Sequence, residues 1–193
     1  YAQIQQKNFW EDQTINNTFV LQDSVRDQIL EIPNVNGLIP RLESFALVSL
    51  EKSTKGALIL GIDPALEEDL SNVSERIIQG EYLESRNQEA VLLSEGLAEY
   101  LSASQGDTIV LLTQGFRGAN SAGKYEVKGI VRFGSPELNE QVLYLPLETA
   151  QYFLRADRRL SSTVIRLEDH DPSSLQNTLE DISSKLSGTD LVG

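Results

Sequence analysis

Residues 118–124 (GANSAGK) have the spacing of a P-loop, in which backbone N–H groups and a lysine hold the phosphates of a nucleotide. Tyr125 stands where that motif needs a serine or threonine to bind magnesium. The lysine should also open a helix, whose N-terminus would bind phosphate, but the following YEVKGIV alternates like a strand. We therefore do not expect nucleotide binding here.

Two acidic segments are the other candidates for chemistry. The single histidine, His170, lies in the sequence EDHD just before a predicted helix, where adjacent side chains point in different directions and a solvated turn is expected. Residues 67–69 (EED) lack the D-x-D-x-D-G spacing of a calcium loop and are expected to flank a helix. No serine lies in a G-x-S-x-G nucleophile motif. The sequence therefore predicts no catalytic residue, no metal site and no bound cofactor.

Composition limits the remaining classes of function. With 29 acidic and 16 basic residues the net charge is −13, which disfavours nucleic acid as a partner. The absence of cysteine excludes a disulfide framework and thiolate metal sites. The longest apolar run, residues 57–62, is far too short to cross a bilayer. A length of 193 residues with 40% apolar content allows one domain or two small ones.

Hydrophobic periodicity indicates two β/α units in the stretch 56–112. The first unit is a strand at 57–62 followed by a short helix within 71–82 that Gly80 closes. The second is a strand at 90–93 followed by a helix that Ser94 caps and a return strand from Thr108.

The same signals outline the rest of the chain. Hairpins mixed with short crossovers indicate an α+β fold rather than a uniform parallel sheet. The first half of the chain is predicted to contain a loose helix within 1–21 that leads into a strand, a short helix after Asp23 that Pro33 stops, and a hairpin of 35–50 with 57–62. The second half is predicted to contain strands at 108–113 and 125–133 joined by the Gly-rich loop QGFRGANSAGK, a strand at 141–145, a helix around Phe153, a strand at 163–167 and a helix from Pro172 to Gly188.

Four motifs in fixed order carry a family resemblance: GIDP, I-x-x-G-x-Y-L, VLLSEGLAEYL and GDTIVLL. They resemble the extracytoplasmic domain of MacB-like and LolC/LolE-like ABC transporter permeases of the FtsX superfamily. YEVKGIVRFG, EQVLYLPLETAQYFL and SSTVIRLED also resemble strand and turn elements near the end of that domain.

The resemblance implies two subdomains and a set of partners. A discontinuous porter-like part would comprise residues 1–64 with 151–193, and an inserted sabre-like part residues 65–150. The expected partners are a cytoplasmic ABC ATPase, a second permease copy or paralogue, and a periplasmic carrier or adaptor protein. The expected location is the bacterial inner membrane, with this chain on its periplasmic side. Because the chain contains no methionine, we expect it to be a trimmed piece. The resemblance implies that transmembrane helices precede Tyr1 and follow Gly193.

In LolC-like members a hairpin loop at the position of residues 113–124 acts as a hook for a periplasmic lipoprotein carrier. The candidate partner-binding residues on that resemblance are Gln114, Phe116, Arg117, Asn120 and Lys124. Phe116 and Arg117 are of the residue types that contribute most when buried at an interface. The family's hook carries prolines, whereas this loop is Gly-rich and has none, so a plain flexible hairpin is the alternative.

The leading hypothesis is a domain that couples ATP-driven transmembrane movement to substrate or partner handling, of the lipoprotein-release or efflux type. The alternative is a free-standing secreted or periplasmic ligand-binding module. An enzyme is a third hypothesis, and it would require a polar pocket with converging titratable groups. Loss of a measured turnover in His170→Ala would support it.

Overall fold

The computed structural model describes residues 2–7, 14–169 and 171–193, which form a mixed array of strands and helices. The strands are β1 (Ala2–Gln6), β2 (Val35–Leu50), β3 (Ser53–Ile62), β4 (Ile77–Gly80), β5 (Ala90–Ser94), β6 (Thr108–Gln114), β7 (Asn120–Val131), β8 (Val142–Pro146), β9 (Ser162–Leu167) and β10 (Leu191–Val192). The helices are α1 (Asp23–Leu30), α2 (Pro64–Ser71), α3 (Glu95–Leu101), α4 (Pro136–Gln141), α5 (Leu147–Phe153) and α6 (Pro172–Lys185). The predicted α+β class is confirmed.

The chain divides into two compact units. The terminal unit is Tyr1–Arg41 with Arg158–Gly193, and the central unit is Leu42–Asp157. The sequence-based division lies elsewhere, at 64/65 and 150/151. The hairpin strand β3 falls in the central unit because it pairs in parallel with β8, from Leu58 opposite Val142 onward, and α5 packs against it. The assignment of these units as porter-like and sabre-like parts stays a prediction.

The terminal unit is an antiparallel sheet in the order β10-β1-β9-β2. Strand β1 replaces the loose helix predicted within residues 1–21. Ile4 is fully buried and lies opposite Thr163 of β9, so pairing on both sides overrides the weak local signal of this glutamine-rich segment. Trp10, whose ring the sequence predicts to be buried or packed against a partner rather than at a membrane interface, lies outside the described residues.

Helix α6 confirms the prediction of a helix from Pro172. Pro172 occupies the first turn, and the Asp171 carboxylate accepts a hydrogen bond from the Ser173 N–H at 3.2 Å. Ile182 and Leu186 are buried, and the helix packs against α1. Helix α6 spans 14 residues, and no helix in the described part of the chain is long and apolar enough to cross a membrane.

In the central unit six strands pair in a closed ring. The order is β2-β3-β8-β5-β7-β6, and β6 returns to β2. Two of these pairs, β3 with β8 and β5 with β7, are parallel. Strand β4 pairs with the end of β7 that lies beyond the stretch paired with β6. The ring places strands that are distant in sequence side by side.

Side chains alternate between the two faces of the ring strands. Leu93, Leu111 and Leu143 are fully buried on one face. On the opposite face of β3, β5 and β8, a second apolar cluster covers the strands; it contains Ile62, Val73, Leu83, Ala90, Leu92, Val131, Phe133, Val142 and Tyr144. No such cover lies over the corresponding face of β2 and β6, where large apolar side chains are exposed among the described residues.

The prediction of a helix within residues 71–82 is wrong, because a 3-10 turn and strand β4 form there. Helix α2 ends at Ser71, and the next residue, Asn72, has a left-handed backbone with φ 46°. A single 3-10 turn then leads into strand β4. Ile77 lies opposite Val131 of β7 and Gly80 opposite Gly129. Ladder pairing with β7 therefore decides the conformation of a segment whose apolar spacing fits a helix equally well.

Candidate functional site

The hairpin formed by β6 and β7 carries the candidate residues. The two strands pair in continuous register from Thr108 opposite Glu126 to Gln114 opposite Asn120. The connection is therefore only residues 115–119, and the long loop predicted over residues 114–124 is wrong. Residues 120–124 extend the strand because each has a partner on β6, from Gln114 to Val110.

The tip of this hairpin is a closed turn. The Gly115 N–H donates to the Ala119 carbonyl at 2.7 Å, and the Gly118 N–H donates to the Gly115 carbonyl at 3.0 Å. The Phe116 N–H leaves the turn and donates to the Leu154 carbonyl at the end of α5, at 2.8 Å. The tip is thus held by its own strands and by a neighbouring helix.

The structure brings together some of the predicted partner-binding residues. Gln114 and Asn120 form the last pair of the ladder, both exposed. The Arg117 guanidinium carbon lies 5.2 Å from the centroid of the Phe116 ring, a cation–π contact at the tip. Lys124 is set apart, because it pairs with Val110 further down the hairpin. A partner-binding role for these five residues stays a prediction.

Sequence reasoning missed an exposed apolar sheet face next to the tip. Phe45, Leu47 and Leu112 are 59%, 51% and 44% exposed. Leu47 lies directly opposite Leu112, which in turn lies opposite Ala122, so three strands contribute to one row. The alternation of Phe45 and Leu47 is visible in the sequence, but it does not reveal which face of the strand another element covers.

This face forms a groove of about 640 Å³, which we call the apolar groove. Its lining residues are Phe45, Ala46, Leu47, Gly56, Ala57, Leu112, Thr113, Gln114, Asn120, Ser121 and Ala122, and none of these described residues is charged. The Thr113 hydroxyl donates to the Phe45 carbonyl at 2.6 Å, which fixes the end of β6 against β2. The groove is therefore built on paired strands rather than on a loop.

The other sequence candidates fall on ordinary structural elements. Lys124 is followed by strand rather than helix, as the YEVKGIV pattern predicted, so the geometry of a P-loop is not formed. Residues 67–69 lie inside α2 rather than beside it, and no three His, Cys, Asp or Glu side chains among the described residues are grouped to hold a metal ion. His170 lies outside the described residues.

The perturbed pKa values in the central unit arise from packing and ion pairs. Burial raises the pKa of the Tyr125 phenol, whose ring meets the Phe153 ring edge-on at 5.9 Å between centroids. Hydrogen bonds from Arg132 lower the pKa of the Glu95 carboxyl. Each shift favours the ordinary charge state of its group at neutral pH, and neither group is poised for proton transfer.

The sequence model of the MacB-like periplasmic core domain matches residues 2–182, and the chain belongs to this family. It is the extracytoplasmic domain of a MacB-like ABC transporter permease. No curated protein matches the chain.

Three solved structures have a similar fold. The periplasmic region of MacB from Actinobacillus actinomycetemcomitans is 16% identical, with a TM-score of 0.66 over 98% of this chain and 85% of that one. The extracellular domain of the ABC-type transporter YknZ from Gram-positive bacteria is 13% identical, with a TM-score of 0.68 over 98% and 97%. A domain of a putative permease protein from Porphyromonas gingivalis is 22% identical, with a TM-score of 0.52 over 83% and 69%.

Proposed function

We propose that this domain couples ATP-driven movement of a permease's transmembrane helices to the handling of a substrate or partner outside the inner membrane. The full-length permease would work with a cytoplasmic ABC ATPase and with a second permease copy or paralogue. The hairpin tip, residues 115–119, would contact a periplasmic carrier or adaptor. Membership of the MacB-like family supports the transporter role.

One observation carries the role of the tip. Phe116 and Arg117 sit at the apex of a paired hairpin, and the Phe116 N–H is also bonded to Leu154 at the end of α5. Because two strands and a helix hold the apex, movement of the central unit would move the apex with it. An aromatic ring and a guanidinium in contact are also common anchors at interfaces.

Removing both anchor side chains tests this role. In the full-length permease, Phe116→Ala with Arg117→Ala is expected to weaken binding of the periplasmic partner at least tenfold, because both side chains would be buried in the complex. The partner would first be identified by photo-crosslinking from benzoylphenylalanine at position 116, and its affinity for the variants then measured. Point substitutions are preferable to deleting the tip, because the adjoining residues belong to β7.

The chain offers a matched control for this experiment. Lys55 lies over the ring of Tyr100 at 5.0 Å, a second cation–π pair in the central unit, and Lys55→Ala with Tyr100→Ala should leave the partner affinity unchanged. Equal loss of affinity in the two double variants would refute the tip as the contact point.

Coupling itself predicts that the crosslink from position 116 changes in yield when the ATPase is trapped with bound ATP. An unchanged yield would refute coupling.

A further inference from the structure

We infer that the apolar groove on the outer face of β2, β6 and β7 binds the apolar part of an uncharged amphiphile. This inference rests on the proposed transport function, because it names a class of molecule that the domain would handle. The groove adjoins the hairpin tip and shares Gln114 and Asn120 with the candidate partner-binding residues, but it excludes Phe116 and Arg117 and has its own test.

The chemistry of the lining selects the ligand. In a chain with 45 charged residues among 193, none of the described residues lining this groove is charged. A charged peptide or headgroup lying in it would lose hydration without gaining an ion pair. An aliphatic chain or aromatic ring would instead shield Phe45, Leu47 and Leu112 from water, which is favourable in proportion to the apolar area covered.

The size of the groove suits a small molecule. Gly56 and Ala122 add little side-chain bulk to the lining, whereas Phe45, Leu47 and Leu112 project from the strands as larger side chains. The volume of about 640 Å³ lies within the range of roughly 300–1,000 Å³ that is usual for small-molecule sites.

The polar groups of the groove are at one end. Gln114 and Asn120 are paired at the last position of the β6–β7 ladder, one step beyond Thr113 and Ser121, while the row of Leu47, Leu112 and Ala122 is apolar. Amide side chains can both donate and accept hydrogen bonds, and they suit the neutral headgroup of a bound molecule. Because polar groups lie at one end of the groove and apolar groups along the rest, the groove favours an amphiphile over a pure hydrocarbon.

Binding can be measured with the uncharged fluorophore N-phenyl-1-naphthylamine, whose emission rises in apolar surroundings. We expect saturable binding to the 193-residue chain, competition by dodecyl maltoside below its micellar concentration, and no competition by maltose. Leu47→Gln with Leu112→Gln should weaken the affinity about tenfold or more, since both side chains lose most of their apolar contact with the ligand. Leu138→Gln alters a leucine of α4 that is 40% exposed and does not line the groove, and it should change the affinity less than twofold.

A filling variant separates a built site from a merely sticky surface. Ala122→Phe increases exposed apolar area but occupies the groove, so it should reduce fluorophore binding about tenfold. Increased binding to Ala122→Phe, or equal loss in the Leu138→Gln control, would overturn the inference. A wild-type chain that sediments as a dimer, binds no fluorophore and dissociates on the double leucine substitution would also overturn it, by assigning the groove to a second copy. None of these results depends on the hairpin tip.

Discussion

Gly80→Ala is expected to lower the melting temperature of the domain by about 10 °C. Gly80 ends β4 with φ 79°, and a Cβ there would lie 2.2 Å from the Lys128 carbonyl oxygen and 2.8 Å from the Gly129 Cα. Both are backbone atoms of β7, so rotation of a side chain cannot relieve the clash. A left-handed alanine costs about 1–2 kcal/mol. Forcing the strands apart adds about 1–3 kcal/mol.

The strand shift would also affect a hydrogen bond. The Lys128 carbonyl that the new methyl group would strike accepts the Glu81 N–H at 3.1 Å. The total of about 2–5 kcal/mol, at roughly 2–4 °C per kcal/mol for a chain of this size, corresponds to a decrease of about 10 °C in melting temperature. Thermal unfolding followed by circular dichroism measures the change.

Gly106→Ala is the control for Gly80→Ala. Gly106 has φ 89°, but nothing lies within 4 Å of the position its Cβ would take. The substitution therefore carries only the backbone cost of about 1–2 kcal/mol, and it should lower the melting temperature by about 2–8 °C, less than Gly80→Ala does. Similar melting temperatures for the two variants would contradict the argument from close approach of β4 and β7.

Gly115→Ala is expected to detach the hairpin tip from α5. A Cβ at Gly115 would lie 2.3 Å from the Leu154 carbonyl oxygen, the atom that accepts the Phe116 N–H. The tip must then move away and lose that hydrogen bond, at a cost of about 1–3 kcal/mol. Hydrogen exchange should report the loss directly. The Phe116 amide is expected to exchange roughly 10- to 100-fold faster than in the wild-type chain.

Gly118→Ala provides the comparison within the same turn. Gly118 has φ 74° with open space around its Cβ position, so alanine strains the turn but meets no neighbouring atom. Exchange of the Phe116 amide should stay within a few-fold of the wild-type rate. If Gly118→Ala accelerates it as much as Gly115→Ala does, the tip is held by the turn and not by α5. In the full-length permease, Gly115→Ala should also weaken the partner contact proposed for the tip.

The sequence predicted an element correctly where all of its local signals favoured the same conformation. Helix α6 has Pro172 in its first turn, a capping Asp171 and apolar residues at helical spacing, and it forms as predicted. Strand β5 is a run of buried residues ending at Ser94, and it also forms as predicted. These segments do not depend on a distant part of the chain to decide between helix and strand.

Strands β1 and β4 were mispredicted because their partners are far away in the sequence. The segment containing Ile77 has spacing that fits a helix, and only pairing with Val131 makes it a strand. Ile4 is buried by β9, more than half the chain away. No window of a dozen residues contains that information.

The apolar groove could not be predicted for a related reason. Leu58 of β3 and Leu47 of β2 both stand at alternating positions in a strand. The cluster containing Leu92 and Tyr144 packs against Leu58, whereas Leu47 is exposed. The sequence pattern is the same, and only the arrangement of neighbouring elements differs.

The closed ring of six strands has a consequence for biogenesis. Its parallel pair β3–β8 joins Leu58 to Val142, so the ring cannot close until the chain has been synthesised through β8. Contacts of such long range slow folding, and unpaired strand edges promote aggregation while they persist. During folding, the edge of β3 that pairs with β8 would therefore stay unpaired for an interval. Chaperones outside the cytoplasm would have to prevent aggregation of the domain during that interval.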